Sequence, residues 1–145
     1  MEEVAIDRIL ENLFNVLALL HKKMLRMDLG GVTGDFTRLH FGIMGVLSHR
    51  SLATSELAKM LSMQKPQMTH LVEQLVNLGI VERHPDAKDR RVINLALTDH
   101  GRVLLRDTSK KVRQKIKDRL AVLTPDELKA MSAALETLKS IGTKL

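Results

Sequence analysis

Ile6, Leu10, Leu13, Leu17, Leu20 and Met24 recur at intervals of three and four residues, the spacing that lines side chains along one stripe of an α-helix. The pattern predicts an amphipathic helix of about six turns. The run Gly30-Gly31-Val32-Thr33-Gly34-Asp35 interrupts it, and Phe36–His49 resumes as a second helix, apolar through Phe41, Ile43, Met44 and Leu47. Glycines end one helix and let the next begin. Two short periodic segments follow from Thr54. Leu57, Met60 and Leu61 form the first apolar face, Ser62-Met63-Gln64 reads as a turn, and Met68, Leu71, Val72 and Leu75 form the second face. Pro66 falls in the first turn of the second helix, where a missing N–H costs nothing. Gly79 stands where a C-terminal cap belongs. Two short helices joined by about three residues make a helix-turn-helix unit.

The periodicity then changes from helical to alternating. Ile80–His84 and Arg91–Thr98 carry β-branched and alternating residues on either side of Pro85–Asp89, which predicts two antiparallel strands with an extended loop. A helix-turn-helix followed by a β-hairpin is a winged helix. Thr98 is the expected N-cap of a further helix, with Leu105, Val112, Ile116, Leu120 and Leu123 as its apolar edge and Lys110, Lys111, Arg113, Lys115, Lys117 and Arg119 crowding the remainder. Thr124-Pro125-Asp126-Glu127 combines a capping box, a first-turn proline and acidic residues at the positive end of a helix dipole. Leu128, Met131, Leu135, Leu138 and Ile141 then stripe a terminal helix. The fold class expected is mainly α with a small β-wing: a winged helix-turn-helix with flanking N- and C-terminal helices.

Charge sharpens this outline. The 145 residues carry 23 Lys and Arg against 17 Asp and Glu. Residues 1–50 balance at six of each and residues 124–145 at three of each, so the whole excess sits in 51–123, fourteen basic against eight acidic. Segregated positive charge points to a polyanionic partner, the alternative being a solvated helix face. Cysteine is absent, which excludes disulfides, thiolate metal sites and thiol redox sensing. The N-terminal stripe is interrupted by Glu11, Asn12 and Asn15, so neither a secretory signal nor a membrane span is expected, and a soluble cytoplasmic protein is.

The outward face of the second short helix can be derived. Steps of 100° with the core centred on Met68, Leu71, Val72 and Leu75 turn Pro66, Thr69, His70, Glu73 and Asn77 away from the protein and leave Gln67 and Gln74 on the flanks, so the candidate reader residues are Lys65, Pro66, Gln67, Thr69, His70 and Gln74. Gln67, Thr69 and His70 lie near the helix N-terminus, the end that enters a major groove in this motif, and all three side chains can bond base edges or phosphates. Lys65 and the first-turn N–H groups favour phosphate. Glu73 is out of place against an anion and needs a basic partner. At the hairpin tip, where Lys88, Arg90 and Arg91 are placed to touch phosphate, Arg90 and Arg91 suit a minor groove, whose concentrated negative potential attracts guanidinium. Asp89, two residues before Arg91, is near enough to brace the guanidinium.

The stretch Leu57–Gly101 resembles the DNA-binding core of the MarR family, the multiple-antibiotic-resistance-type transcriptional regulators. The resemblance rests on K-P-x-x-T-x-x-V-x-x-L from Lys65 to Leu75, L-G-I-V-E-R from Leu78 to Arg83, D-x-x-D-R-R from Asp86 to Arg91 and L-T-x-x-G from Leu97 to Gly101, in this order. With the flanking helices it covers nearly the whole chain. It implies a homodimer whose first and last two helices interlock, with Gln67, Thr69 and His70 at major-groove positions and Arg91 as the wing arginine held by Asp89. A hydroxyl or arginine often stands in the family where this chain has His70, so the resemblance names no operator. The implied organisation is an N-terminal dimerisation helix and loop at 1–35, a DNA-binding region at 36–101 and C-terminal dimerisation helices at 102–145.

Family members commonly release DNA when a small ligand, metal or oxidant alters the spacing of the reader helices. Without cysteine the peroxide-sensing branch is excluded. The zinc-sensing branch clusters His and Glu on the second and fifth helices, and only His40 lies near such a position, so neither a metal nor another cofactor is expected. Phe14, His21 and His40 are candidates to line an effector cleft for an anionic aromatic, although a lone His beside apolar residues is more often a satisfied core histidine. No G-x-S-x-G, H-E-x-x-H or Walker sequence is present, and the glycines at 30–35 lack the Lys-Ser/Thr of a phosphate loop; an enzyme is not expected. The expectation is a dimeric regulator, repressing more often than activating, that binds a palindromic double-stranded operator. The competing reading is a helical protein-interaction module that keeps the fold without DNA binding.

Overall fold

The computed structural model describes residues 2–25 and 37–145, the side chains of Glu2, Met24 and Leu25 excepted. The expected glycine break at 30–35, the helix start at Phe36 and the packing of Met24 lie outside the described residues. The chain divides into two compact units, residues 1–28 with 112–145, and residues 29–111.

The second unit is the winged helix. Its elements are α2 (Arg38–Leu47), β1 (Leu52–Ala53), α3 (Thr54–Met60), α4 (Lys65–Asn77), β2 (Val81–Pro85) and β3 (Ile93–Leu97), followed by the first half of α5 (Asp99–Leu120). The antiparallel sheet runs β1-β3-β2, with Val81 opposite Leu97 and Pro85 opposite Ile93 in the hairpin, and Leu52 opposite Leu95 on the other edge of β3. Sequence alternation predicts the hairpin and misses β1, because two residues carry no period; the strand is visible only through its pairing.

The core forms from one face of each element: Ile43, Met44 and Leu47 from α2, Leu57 and Ala58 from α3, Met68, Leu71, Val72 and Leu75 from α4, and Val81, Leu95 and Leu97 from the sheet. The apolar face expected of α3 needs one correction. Met60 is half exposed, its sulfur 3.5 Å from the Arg50 guanidinium, and Ala58 takes the inward place. The turn between α3 and α4 spans Leu61–Gln64 and passes through Ser62 at a φ of 51°, a left-handed position that only short polar side chains and glycine enter at low cost.

The L-T-x-x-G run acquires a physical reason. Thr98 Oγ1 accepts from the Gly101 N–H at 3.0 Å, capping α5 as expected, and its own hydroxyl donates to the Gly79 carbonyl at 2.6 Å. Gly79 turns the chain out of α4 at a φ of 68°. A Cβ at Gly101 would lie 2.2 Å from the Ile80 carbonyl oxygen, so α5 can begin against this backbone only on a glycine.

The first unit holds α1 (Glu2–Leu20), which ends in a single π turn at His21–Leu25, the second half of α5, and α6 (Pro125–Gly142). Thr124 opens α6 as expected. Its Oγ1 accepts from the Glu127 N–H at 3.3 Å, while Glu127 Oε2 accepts from the Thr124 N–H at 2.8 Å and the Thr124 hydroxyl at 3.1 Å, two bonds that hold the Glu127 carboxyl below the usual carboxylate range. No side chain of α6 is buried, and Ile6, Leu10, Leu13, Leu17, Leu135, Leu138 and Ile141 all face solvent. Among the described residues no helix is long and apolar enough to cross a membrane.

Candidate nucleic-acid interface

α4 is held by the four buried side chains that its periodicity selects, and its opposite face is open. Lys65, Pro66, Gln67, Thr69, His70, Glu73 and Asn77 are exposed. Gln64 at the N-cap makes no side-chain cap bond and Pro66 has no N–H to satisfy, so the first turn presents backbone donors beside Lys65, a ready site for a phosphate. Thr69 Oγ1 donates to the Lys65 carbonyl at 2.9 Å. In that rotamer it offers a base edge only lone pairs, which suits the exocyclic amines of adenine or cytosine.

Gln74 departs from the expected reader set. It is half-buried, and its Oε1 lies 2.8 Å from Nε2 of His40, which is 1% exposed. The tautomer follows from the other end of the ring. His40 Nδ1 accepts from the Thr37 N–H at 2.9 Å, so Nε2 carries the proton and donates it to Gln74. His40 is therefore a satisfied core histidine that ties α2 to α4, and neither ring nitrogen is left to face an effector. Phe14 and His21, the other two expected pocket residues, are exposed on α1 and the π turn of the first unit. Among the described residues, no group of three or more His, Asp or Glu side chains could hold a metal ion.

Glu73 has the basic partner its position demands: the Arg83 guanidinium on β2 pairs with its carboxylate. The pair fastens the exposed face of α4 to the hairpin and neutralises the acid there. At about half exposure for each partner it contributes little stability, within about 1 kcal/mol; its main effect is on local charge.

The wing is ordered by two aspartates. Asp86 Oδ2 accepts from the Lys88 N–H at 2.9 Å and the Asp89 N–H at 3.1 Å, and Oδ1 accepts from the Asn94 side-chain amide at 2.8 Å. The backbone donors of Lys88 and Asp89, with the Asn94 amide, hold its carboxyl below the usual range. In the sequence Asp86 stands only as a motif position; a carboxylate two residues before a backbone N–H is the signal for such a turn. Asp89 accepts from the Arg91 backbone N–H at 3.0 Å, so the brace expected at the guanidinium acts on the main chain. The Val92 N–H donates to the Asp89 carbonyl at 2.9 Å, closing a β-turn with Arg90 and Arg91 at its two central positions. Both arginines lie in the loop, beyond the end of β3, with their side chains exposed.

The positive excess is unevenly placed. Residues 65–97 carry five basic against four acidic side chains, while α5 carries eight against three. With Glu73 paired and Asp86 turned into the loop, Lys65, Lys88, Arg90 and Arg91 set the sign of the exposed reader and wing.

Residues 34–92 match the family model described as the MarR family. The chain resembles the MarR family over this stretch. The transcriptional regulator AdcR of Streptococcus pneumoniae (serotype 2, strain D39) is 42% identical over 60 residues, which cover 41% of each chain. Apo MarR of E. coli superposes with a TM-score of 0.64 at 26% identity, covering 72% of this chain and 78% of that one. FabT of Streptococcus pneumoniae, solved in complex with DNA, shares the fold over 98% of each chain at a TM-score of 0.65 and 22% identity. The matched stretch spans 41% to 57% of the length of the curated relatives. Lys65–His70 and Lys88–Arg91 fall within the matched residues, whereas β3, α5 and α6 fall beyond them.

Proposed function

We propose that this chain is a sequence-specific double-stranded DNA-binding transcriptional regulator that acts as a homodimer in the cytoplasm. The observation that carries the reading is the pairing of two tools on one rigid unit: an α4 whose open first turn bears Lys65, Gln67, Thr69 and His70, and a wing whose β-turn puts Arg90 and Arg91 at its tip. Inserted in a major groove, Gln67, Thr69 and His70 address base edges. Arg90 and Arg91 enter the neighbouring minor groove, with Lys65 and Lys88 on phosphates. The complex of FabT with DNA supports the same use of the fold. The exposed apolar stripes of α1 and α6 support a second copy as their cover, and two copies ask for a palindromic operator. Repression through occlusion of a promoter, relieved by a small-molecule effector, follows the family resemblance and works by population shift.

The test is the salt dependence of duplex binding. Four cations per protomer, about eight per dimer, give a slope of log affinity against log salt near −7. Arg91→Ala should weaken binding to cognate and random duplexes alike and flatten the slope by about two units per dimer. Binding that ignores salt, or a chain that ignores duplexes in dilute buffer, would overturn the proposal in favour of a protein-interaction module.

A further inference from the structure

Met60, turned outward at the end of α3, sits in a setting with chemistry of its own. It is 51% exposed, whereas Met44 and Met68 are fully buried and Met63 and Met131 are partly covered. Arg50, in the segment between α2 and β1, lies against it, and Nη2 of the guanidinium donates to the Met60 sulfur at 3.5 Å. We propose that Met60 is a site of reversible oxidation by hydroperoxides, with Arg50 as the group that directs and promotes the oxygen transfer.

The sulfur of a thioether carries two lone pairs. One faces the Arg50 N–H, and half exposure leaves the other open to a small oxidant. Attack of the open pair on the near oxygen of hydrogen peroxide forms the S–O bond and breaks the O–O bond, whose electron pair leaves on the far oxygen. The far oxygen takes up the proton that the near oxygen sheds and departs as water. Sulfur is oxidised by two electrons to the sulfoxide and the peroxide is reduced by the same two. Arg50 acts on this step in two opposed ways. Its bond to sulfur draws density from the nucleophile, but sulfur is a weak acceptor and the contact is long. The guanidinium holds five donors in one fork, so a second N–H is available to the departing oxygen, and that bond is charge-assisted and about twice as strong as a neutral one. The second effect wins, and the guanidinium accelerates the reaction. It also covers one lone pair, so one epimer of the chiral sulfoxide predominates. The sulfoxide oxygen then finds the same guanidinium as its donor. A polar sulfoxide at Met44 or Met68 would open the core, whereas at Met60 it stands in water and the fold tolerates it. A chain without cysteine thus carries a hydroperoxide-responsive group on the first helix of its helix-turn-helix unit.

Peptide mapping by mass spectrometry of the full chain, after a short pulse of hydrogen peroxide, tests the site without DNA. Met60 sulfoxide should appear ahead of sulfoxide at Met44, Met63, Met68 and Met131. Arg50→Gln should slow oxidation of Met60 roughly threefold to tenfold, the rate equivalent of about one hydrogen bond. Arg50→Lys, which keeps the charge and a donor, should recover part of that rate. Reductases specific for each sulfoxide epimer should show one epimer in clear excess at Met60, and R50Q should bring the two toward equal amounts. A Met60 rate that is unchanged or faster in R50Q overturns the proposal, provided Met44 and Met68 stay as protected as before and so report an intact fold. Equal epimers in the unaltered chain overturn it as well, and that measurement needs no variant.

Discussion

Replacing Gln74 by leucine separates a residue that reads DNA from one that holds the reader. The His40 imidazole is 1% exposed and its Nε2–H has Gln74 Oε1 as acceptor at 2.8 Å. Leucine removes that acceptor and leaves a buried donor unsatisfied, a cost of about 1–3 kcal/mol. A loss of about 2 kcal/mol corresponds to a fall in Tm of roughly 6 °C for a chain of this length. His40→Leu alone gives up the Thr37 contacts as well, but frees a glutamine amide that is only half-buried and can turn to water. The double variant removes donor and acceptor together, and replacing both by apolar groups is close to neutral at that contact. The double variant should therefore lose about 1–2 kcal/mol less than the sum of the single losses. Urea unfolding at one fixed protomer concentration measures this. Single effects that add to within about 0.5 kcal/mol would show that the contact carries no energy. A change of duplex preference in Gln74→Leu as large as that of Gln67→Ala would show that the amide reaches DNA.

Three other changes test the remaining physical claims. Selection from random duplexes by Gln67→Ala and His70→Ala should return altered sequences, and a uniform loss of affinity without altered preference would make both positioning groups. Gly101→Ala forces a Cβ to 2.2 Å from the Ile80 carbonyl oxygen, an overpacking cost of about 1–3 kcal/mol or more. Gly42→Ala meets nothing within 4 Å and gains about 1 kcal/mol of helix propensity; thermal melts of opposite sign are the expected result, and a shared sign refutes the packing argument. Asp86 is depressed below its ordinary 3.8 by the Lys88 and Asp89 N–H bonds and the Asn94 amide, so its contribution to wing order is complete above that ordinary value and is lost as pH falls through the lower folded value. Exchange protection of the Lys88 and Asp89 amides should decline in that acid window, and Asp86→Ala should remove the protection at neutral pH.

The elements that bury one clean face were legible from sequence, because burial imposes a period. Met68, Leu71, Val72 and Leu75 name the inside of α4 before any packing is known, and the alternation of Ile93–Leu97 names β3. What escaped depends on contacts between segments far apart in the chain. β1 exists through Leu52 facing Leu95. Gln74 turns inward because a histidine 34 residues earlier holds a donor toward it, and an isolated helical wheel places it on a flank. Glu73 was legible as an anomaly, an acid on a face meant for an anion; its answer, Arg83, was not. The wing arginines were legible as charge, while the turn that displays them is set by Asp86 and Asp89 accepting backbone N–H groups.

The distribution of apolar surface and charge bears on the proposed second copy. The winged helix closes its own core, with Ile43, Leu57, Met68, Leu75 and Leu95 fully buried, whereas α1 and α6 keep Leu13, Leu17, Leu135 and Leu138 at 44–57% exposure. A helix gains most of its stability from packing an amphipathic face, so these two helices demand a partner surface that the winged helix does not. The reader and wing together exceed neutrality by a single charge, which makes one protomer a weak ligand for a duplex. Joining two such units turns the second docking event into an intramolecular one and multiplies affinity by the effective concentration, provided both α4 helices reach their half-sites at once.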